Sequence, residues 1–311
     1  MIVTLTFNTG IDHTLFLPSF QVGKTNRVTH SAISMGAKPT DVSYILGRLG
    51  VPSLALGFAA GQFGKRMEQM LVERGVNTHF TWVNGETRLN TVIVNEDDHC
   101  ETTITTSTLV IEPEHIAALR HQYETILNQA SCLVLGGTPP KGIDPNVYTE
   151  FITLARLKNV PVIFDASGPA LRAGLLGLPD FVKPNRTELE ELTGNLLPEL
   201  ADVYQAAKQV HSQYGSIVVV TLGKEGALAV MGEKDYRIPA AIVEPVSTAG
   251  AGDGVLAGLA LAIAHHEPIE NGLRLGMAIA GAVVRMAGTA DCRSEDVARL
   301  LPEIQLIPYT A

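Results

Sequence analysis

The run SIVVVTLG (216–223) constrains the fold most. Ile217, Val218, Val219 and Val220 are apolar in both phases of a strand, so neither face can meet water. Strands of that kind belong to parallel sheets whose two faces are covered by helices. The same signal recurs at SCLVLGG (131–137), PVIFDAS (161–167) and, more briefly, FVKPN (181–185). A helical pattern lies between two of them, with Val147, Phe151, Leu154 and Ala155 spaced over 145–158, and another helix is predicted to start near Thr187. Strand–helix alternation from about residue 107 onward predicts an α/β fold with a mostly parallel sheet. No repeat period or low-complexity stretch divides the chain. One domain over residues 1–311 is the expectation, which α/β folds of this length permit.

Two stretches break the rhythm. Residues 11–30 and 86–106 are rich in Thr, Val and Ile with polar alternation, and neither offers a long helix. VIVNEDDHCETTITT (92–106) reads as a hairpin turning at 95–99. Glu96, Asp97, Asp98 and His99 then form a solvated hairpin tip in preference to a metal site. Together these segments are expected to make a small antiparallel sheet. In open parallel sheets ligands bind at the carboxyl ends of the strands, so a β-layer near that edge would serve as a lid. An exposed lid face would favour a homodimer, because uncovered edges and apolar patches invite pairing.

The formal net charge of −9 speaks against nucleic acid or an anionic membrane as a general partner. A small anionic ligand stays compatible, because local donors outweigh net charge at short range. The longest apolar run, VLAGLALAIA (255–264), is far short of the ~20 residues that span a bilayer. No basic segment and apolar signal core open the sequence. Cys100, Cys132 and Cys292 are scattered and odd in number. A reduced, cytoplasmic protein is the simplest expectation.

Chemistry concentrates in STAGAGDGVLAGLALAIA (247–264). A small-residue loop, Ser247 to Asp253, runs into a helix that is predicted to begin between Ala251 and Gly254 and end at Ala264. Glycines let a ligand come close to the backbone, and the first-turn amides of a helix attract anions. Asp253 is either a helix-start acid, worth ~0.5–2 kcal/mol, or a general base beside an anion hole. A dinucleotide fingerprint fits poorly, because Pro239 and Pro245 interrupt the approach strand. No GK[ST] follows the glycines, so this is not a Walker A loop.

STAGAGD resembles the [DS]TxGAGD signature of the ribokinase-like (PfkB) family of carbohydrate kinases. The likeness extends along the chain. TLTFNTGID (4–12), KTNR (24–27), TRLN (87–90) and LGGTPPKG (135–142) resemble segments of its 1-phosphofructokinase and tagatose-6-phosphate kinase branch. VKPNRTE (182–188) and VVTLGKEGA (219–227) resemble segments of the nucleotide half. The resemblance implies ATP and Mg²⁺ and a ribokinase-like fold with a β-lid. It implies Asp253 as catalytic base, with the amides from Gly250 through Ala251 and Gly252 as the anion hole. Asn185 and Glu188 would organise Mg²⁺ through water, with Lys183 near the nucleotide phosphates and Thr221, Gly223 and Gly226 lining the ATP site. Asp12 would hold sugar hydroxyls. Arg27, Lys38 and Arg88 would meet the phosphate of a sugar phosphate, supported by Asn90. Gly36, Asp41 and Thr138 would complete the substrate pocket.

Each of these residues also has a plainer reading. An isolated arginine is usually solvated, NxxE is an ordinary capping pattern, and Asp12 follows a turn-like Asn-Thr-Gly. The sequence also departs from the family at 36–43. Where the family has GGKGxNVA, this chain has GAKPTDVS. Ala37 adds a methyl group, Pro39 removes an amide donor, and Asp41 replaces an asparagine with a group that, ionised, only accepts. Asp41 also adds negative charge, worth of order 1 kcal/mol against a substrate phosphate. Thr138 keeps a hydroxyl, while Lys141 replaces a proline. The leading expectation is a kinase of a phosphorylated ketohexose such as fructose 1-phosphate or tagatose 6-phosphate. The alternatives are a kinase of an unphosphorylated sugar, nucleoside or polyol, and a binding protein with little catalysis.

Overall fold

The computed structural model of the chain describes residues 1–97 and 100–310. Its strands begin with β1 (Ile2–Thr6), β2 (Gly10–Leu17), β3 (His30–Met35), β4 (Ser53–Ala59), β5 (Asn77–Trp82), β6 (Asn84–Gly85), β7 (Arg88–Asn95) and β8 (Glu101–Ile104). They continue with β9 (Leu109–Val110), β10 (Cys132–Gly136), β11 (Val162–Asp165), β12 (Phe181–Val182), β13 (Ile217–Thr221), β14 (Ala227–Val230), β15 (Tyr236–Ile238) and β16 (Ile307–Pro308). The first five helices are α1 (Lys38–Arg48), α2 (Gly61–Val72), α3 (Pro113–Leu127), α4 (Val147–Leu157) and α5 (Gly168–Leu176). The others are α6 (Arg186–Thr193), α7 (Leu200–Tyr214), α8 (Ala251–Ala264), α9 (Ile269–Val283) and α10 (Ser294–Leu300). None of these helices is long and apolar enough to cross a membrane.

The main sheet runs β16-β15-β14-β13-β12-β11-β10-β1-β4-β5. It is parallel from β13 to β5 and antiparallel through β14, β15 and β16. Strand β1 sits between β4 and β10, so the chain winds away from it in both directions. That reversal opens a crevice at the carboxyl ends of β1 and β10, the usual ligand position in such sheets. The predicted strand at 181–185 shrinks to Phe181–Val182, and Asn185 instead caps α6, which begins at Arg186.

Alternating side chains feed two cores. Leu133 and Leu135 of β10 join the cluster containing Tyr123 (α3), Phe151 (α4), Leu171 (α5), Leu189 (α6) and Val203 (α7). Cys132 and Val134 join the cluster with Ile45 (α1), Leu256 (α8), Ile279 (α9) and Val297 (α10). Each fully buried aliphatic or aromatic side chain contributes ~1.5–3 kcal/mol. Helices α8 and α9 approach closely at Gly258, where a Cβ would fall 2.2 Å from the Gly276 amide nitrogen. That contact fixes the helix whose first turn carries Asp253.

The second sheet, β3-β2-β7-β8, forms the lid. It is mixed where antiparallel pairing was expected: β2 and β7 run parallel, with Asp12 opposite Asn90, and only β2–β3 and β7–β8 are antiparallel. Strand β3 also reaches Met35, beyond the expected limit at residue 30, while residues 18–29 form a loop. The hairpin prediction holds for β7 and β8. Glu96 at its tip accepts a hydrogen bond from Thr29 (3.0 Å), Asp97 is exposed, and Asp98 and His99 lie outside the described residues.

Candidate active site

Gly250 caps α8 with φ 81°, a left-handed conformation that favours glycine. A Cβ there would also fall 2.4 Å from the Ala290 amide nitrogen. Two reasons therefore require glycine at this position. The loop delivers Asp253 to the first turn of α8, buried, with its amide only loosely engaged by the Gly250 carbonyl at 3.1 Å. Burial, and then the negative charge of Asp165, push the Asp253 carboxyl up to about 7 against the pull of Lys183 and Lys38. A carboxyl poised near neutrality at a helix N-terminus is suited to accept a proton there.

Two cavities meet at this loop. A polar one of about 630 Å³ takes in Ala249, Gly250 and Asp253. A mostly apolar one of about 530 Å³ takes in Thr248, Ala251 and Gly252.

The polar cavity lies under the lid at the switch point. Asp12, from β2, accepts hydrogen bonds from Asn90 (2.7 Å) and Thr289 (2.7 Å). Burial nonetheless holds its carboxyl above the usual range. Gly36 leaves room for that carboxylate, since a Cβ there would fall 1.9 Å from Asp12 Oδ1. Among the described residues, three buried atoms of the lining have no hydrogen-bond partner: Asn8 Oδ1, Arg88 Nε and Asn90 Oδ1. Such orphans cost ~1–3 kcal/mol each, and a polar ligand would satisfy them. Thr138 and Lys141 stand exposed at the mouth.

Asp41 is buried in the same cavity, and Oδ1 accepts the Ala37 amide at 3.0 Å. That bond satisfies the backbone N–H of the residue that precedes α1. Burial and then the charges of Asp253 and Asp12 raise its carboxyl well above the ordinary range. Pro39 falls in the first turn of α1, where a helix has no use for its missing N–H.

Behind Asp253 lies a charge network. Asp165 ends β11 and accepts from Lys38 (2.7 Å) and Lys183 (2.9 Å). Burial opposes its ionisation, but the Lys183 and Lys38 ammoniums prevail and lower its carboxyl. Lys38 also binds Glu188 at 3.2 Å. It lines the polar cavity, and its ammonium is engaged by both carboxylates. Partial burial opposes its charge, but Asp165 and Glu188 raise it. Lys183 lies against the first turn of α8, about 3.1 Å from where a Cβ of Gly252 would be. Asn185 and Glu188 form a reciprocal capping box, with both bonds at 2.8 Å.

The apolar cavity is walled by Ala240 to Val243, Pro245, Met277 and Ala280, with Asn185, Thr221, Gly223 and Thr248 at its polar end. Gly226 is not in its lining. Its φ of 99° and the Ile238 carbonyl 2.0 Å from a would-be Cβ make it a requirement of the β13–β14 turn. Arg27 lies exposed in the 18–29 loop and lines neither cavity. Sequence reasoning missed Asp165, Asn8 and Thr289. An acid ending an apolar strand, as in VIFD, was the available signal for Asp165.

A family model described as pfkB family carbohydrate kinase matches residues 6–296. The 1-phosphofructokinase of Escherichia coli K12 is 31% identical over 308 residues, covering 99% of this chain and 98% of that protein. The Bacillus subtilis 1-phosphofructokinase is 31% identical over 98% of this chain and 99% of its own length. Among solved structures, phosphofructokinase-2 from Escherichia coli in complex with substrates and products superposes with a TM-score of 0.89 at 28% identity, covering 97% of this chain and 98% of that one. A kinase of this family is a phosphotransferase with an alcohol group as acceptor, so a binding protein without catalysis is set aside. The fold is ribokinase-like, and the chain belongs to the pfkB family of carbohydrate kinases.

Proposed function

We propose that this chain transfers the γ-phosphoryl group of ATP to a free hydroxyl of fructose 1-phosphate. The observation that carries the reading is the placement of residues 248–253 between an apolar and a polar cavity. The nucleotide base fills the apolar cavity, and its phosphates extend along the first turn of α8 toward Lys183. The sugar phosphate enters the polar cavity, where Asp12 and Asn90 take its hydroxyls and Arg88 its phosphate. An arginine fork suits that phosphate. Asp253 accepts the proton of the attacking hydroxyl, while the α8 dipole and amides stabilise charge on the moving group. Mg²⁺ would neutralise phosphate charge, held through water by Asn185 and Glu188; the donor set is oxygen only, as that cation requires. Tagatose 6-phosphate remains a candidate acceptor under the same roles.

Steady-state ADP release over a panel of sugar phosphates tests the reading, and no turnover with any of them would end it. Arg88→Ala is expected to raise the sugar-phosphate KM about 10- to 100-fold, from the ~1.5–3 kcal/mol typical of a hydrogen bond to a charged group. An unchanged KM would favour an unphosphorylated sugar, nucleoside or polyol. That second reading rests on Asp12, Asp41 and Asp253 sharing one cavity. At pH high enough to ionise the Asp41 carboxyl, Asp41→Asn removes a negative charge from it and is expected to lower the sugar-phosphate KM about 3- to 10-fold. An increase in KM would show that Asp41 binds substrate directly.

We also propose a homodimer through the lid. Ile33 of β3 and Ile104 of β8 leave apolar surface exposed on the lid strands, and such surfaces favour pairing. Light scattering at the monomer mass would contradict this.

A further inference from the structure

Glu101 opens β8, in the lid, and both of its carboxylate oxygens are used 147 residues away. Oε1 accepts the Thr248 amide at 2.7 Å, and Oε2 accepts the Thr248 hydroxyl at 2.8 Å. Thr248 belongs to the loop that ends in Asp253 and lines the apolar cavity. Two residues along β8, Thr103 lines the polar cavity. Residues i and i+2 of a strand share a face, so one face of β8 carries both contacts. The opposite side of the lid also grips this region. Asp12 and Ser34 accept hydrogen bonds from the Thr289 hydroxyl and amide at 2.7 and 2.9 Å, and Ala290 packs on Gly250.

We propose that Glu101 is a positioning residue that ties the lid to the nucleotide-phosphate loop, so that a sugar held beneath the lid orders the loop that receives ATP. This rests on the proposed assignment of the two cavities. A pair of hydrogen bonds from one carboxylate fixes both the orientation of the Thr248 amide plane and the rotamer of its side chain. The lid cannot shift without moving or releasing Thr248. Sugar binding should therefore tighten nucleotide binding, and the reverse, by the same factor.

The test uses the full chain and the variants Glu101→Ala and Glu101→Gln. In ligand-free protein, hydrogen–deuterium exchange over residues 247–254 should speed up at least tenfold in Glu101→Ala. Calorimetry with a non-hydrolysable ATP analogue should show affinity enhanced by fructose 1-phosphate in the wild type, and enhancement close to one in Glu101→Ala. Glu101→Gln keeps the size and one acceptor, so it should fall between; it carries the test if the alanine variant fails to fold. Unchanged exchange together with unchanged coupling would overturn the proposal. So would tighter analogue binding in the variants without sugar, which would make Glu101 a carboxylate plug occupying phosphate donors. If the wild type turns over no sugar phosphate, the functional reading fails, while the exchange result still decides whether Glu101 holds the loop.

Discussion

Asp253→Asn is expected to lower kcat by about 10²- to 10⁴-fold, the usual contribution of a positioned base, without loss of the fold. Asparagine keeps the shape and an acceptor oxygen but cannot take a proton. The pH dependence has the same origin. A base must be ionised to act, and the Asp253 carboxyl is held up to about 7. In the wild type kcat/KM should therefore fall roughly tenfold per pH unit below about 7 and level off above it. Stability should move the opposite way. Between the ordinary value of 3.8 and about 7, the folded chain keeps a proton that the unfolded chain has released. Stability then decreases as pH rises through that window. Asp253→Asn removes this loss, so at pH 8 the inactive variant should melt higher than the wild type. A variant that melts lower at pH 8 would show that the carboxylate stabilises the fold.

Asp165→Ala is expected to cost about 3–5 kcal/mol of folding stability, the penalty for removing one partner of a buried ion pair. Lys183 is nearly buried and binds Asp165 directly, while half-buried Lys38 binds it at 2.7 Å. Without the carboxylate, buried Lys183 loses the ion pair that it makes at 2.9 Å. Urea unfolding measures the loss as a lower midpoint at unchanged slope. Asp165→Asn separates the charge from the packing. Its negative charge is one cause of the raised Asp253 carboxyl, and removing it frees two ammoniums to act on Asp253. The midpoint of the kcat/KM profile should therefore shift to lower pH. An unshifted midpoint would detach Asp165 from the catalytic base.

The central sheet was legible because buried parallel strands are nearly continuous apolar runs, and 216–223 and 131–137 announce themselves without a partner. The loop at 247–253 was legible because small residues, a helix start and an acid occur together within seven positions. The mixed lid was not. Whether β2 meets β7 in parallel depends on contacts between segments 78 residues apart, as Asp12 and Asn90 are, and local alternation is the same in either direction. Lys38 shows the same limit from the other side. Its place at the start of α1 could be read, but its partners Asp165 and Glu188 lie on β11 and α6, brought together only by the order of strands in the sheet. Arg27 and Gly226 match the motif without lining either cavity of the single chain: one lies in an exposed loop, the other at the β13–β14 turn.

The most direct measurement follows label from γ-³²P ATP into fructose 1-phosphate, with wild type and Asp253→Asn side by side. The account predicts a labelled fructose bisphosphate from the wild type, formed at least about 100-fold more slowly by the variant. No labelled sugar from the wild type, or equal transfer by the two proteins, would contradict it.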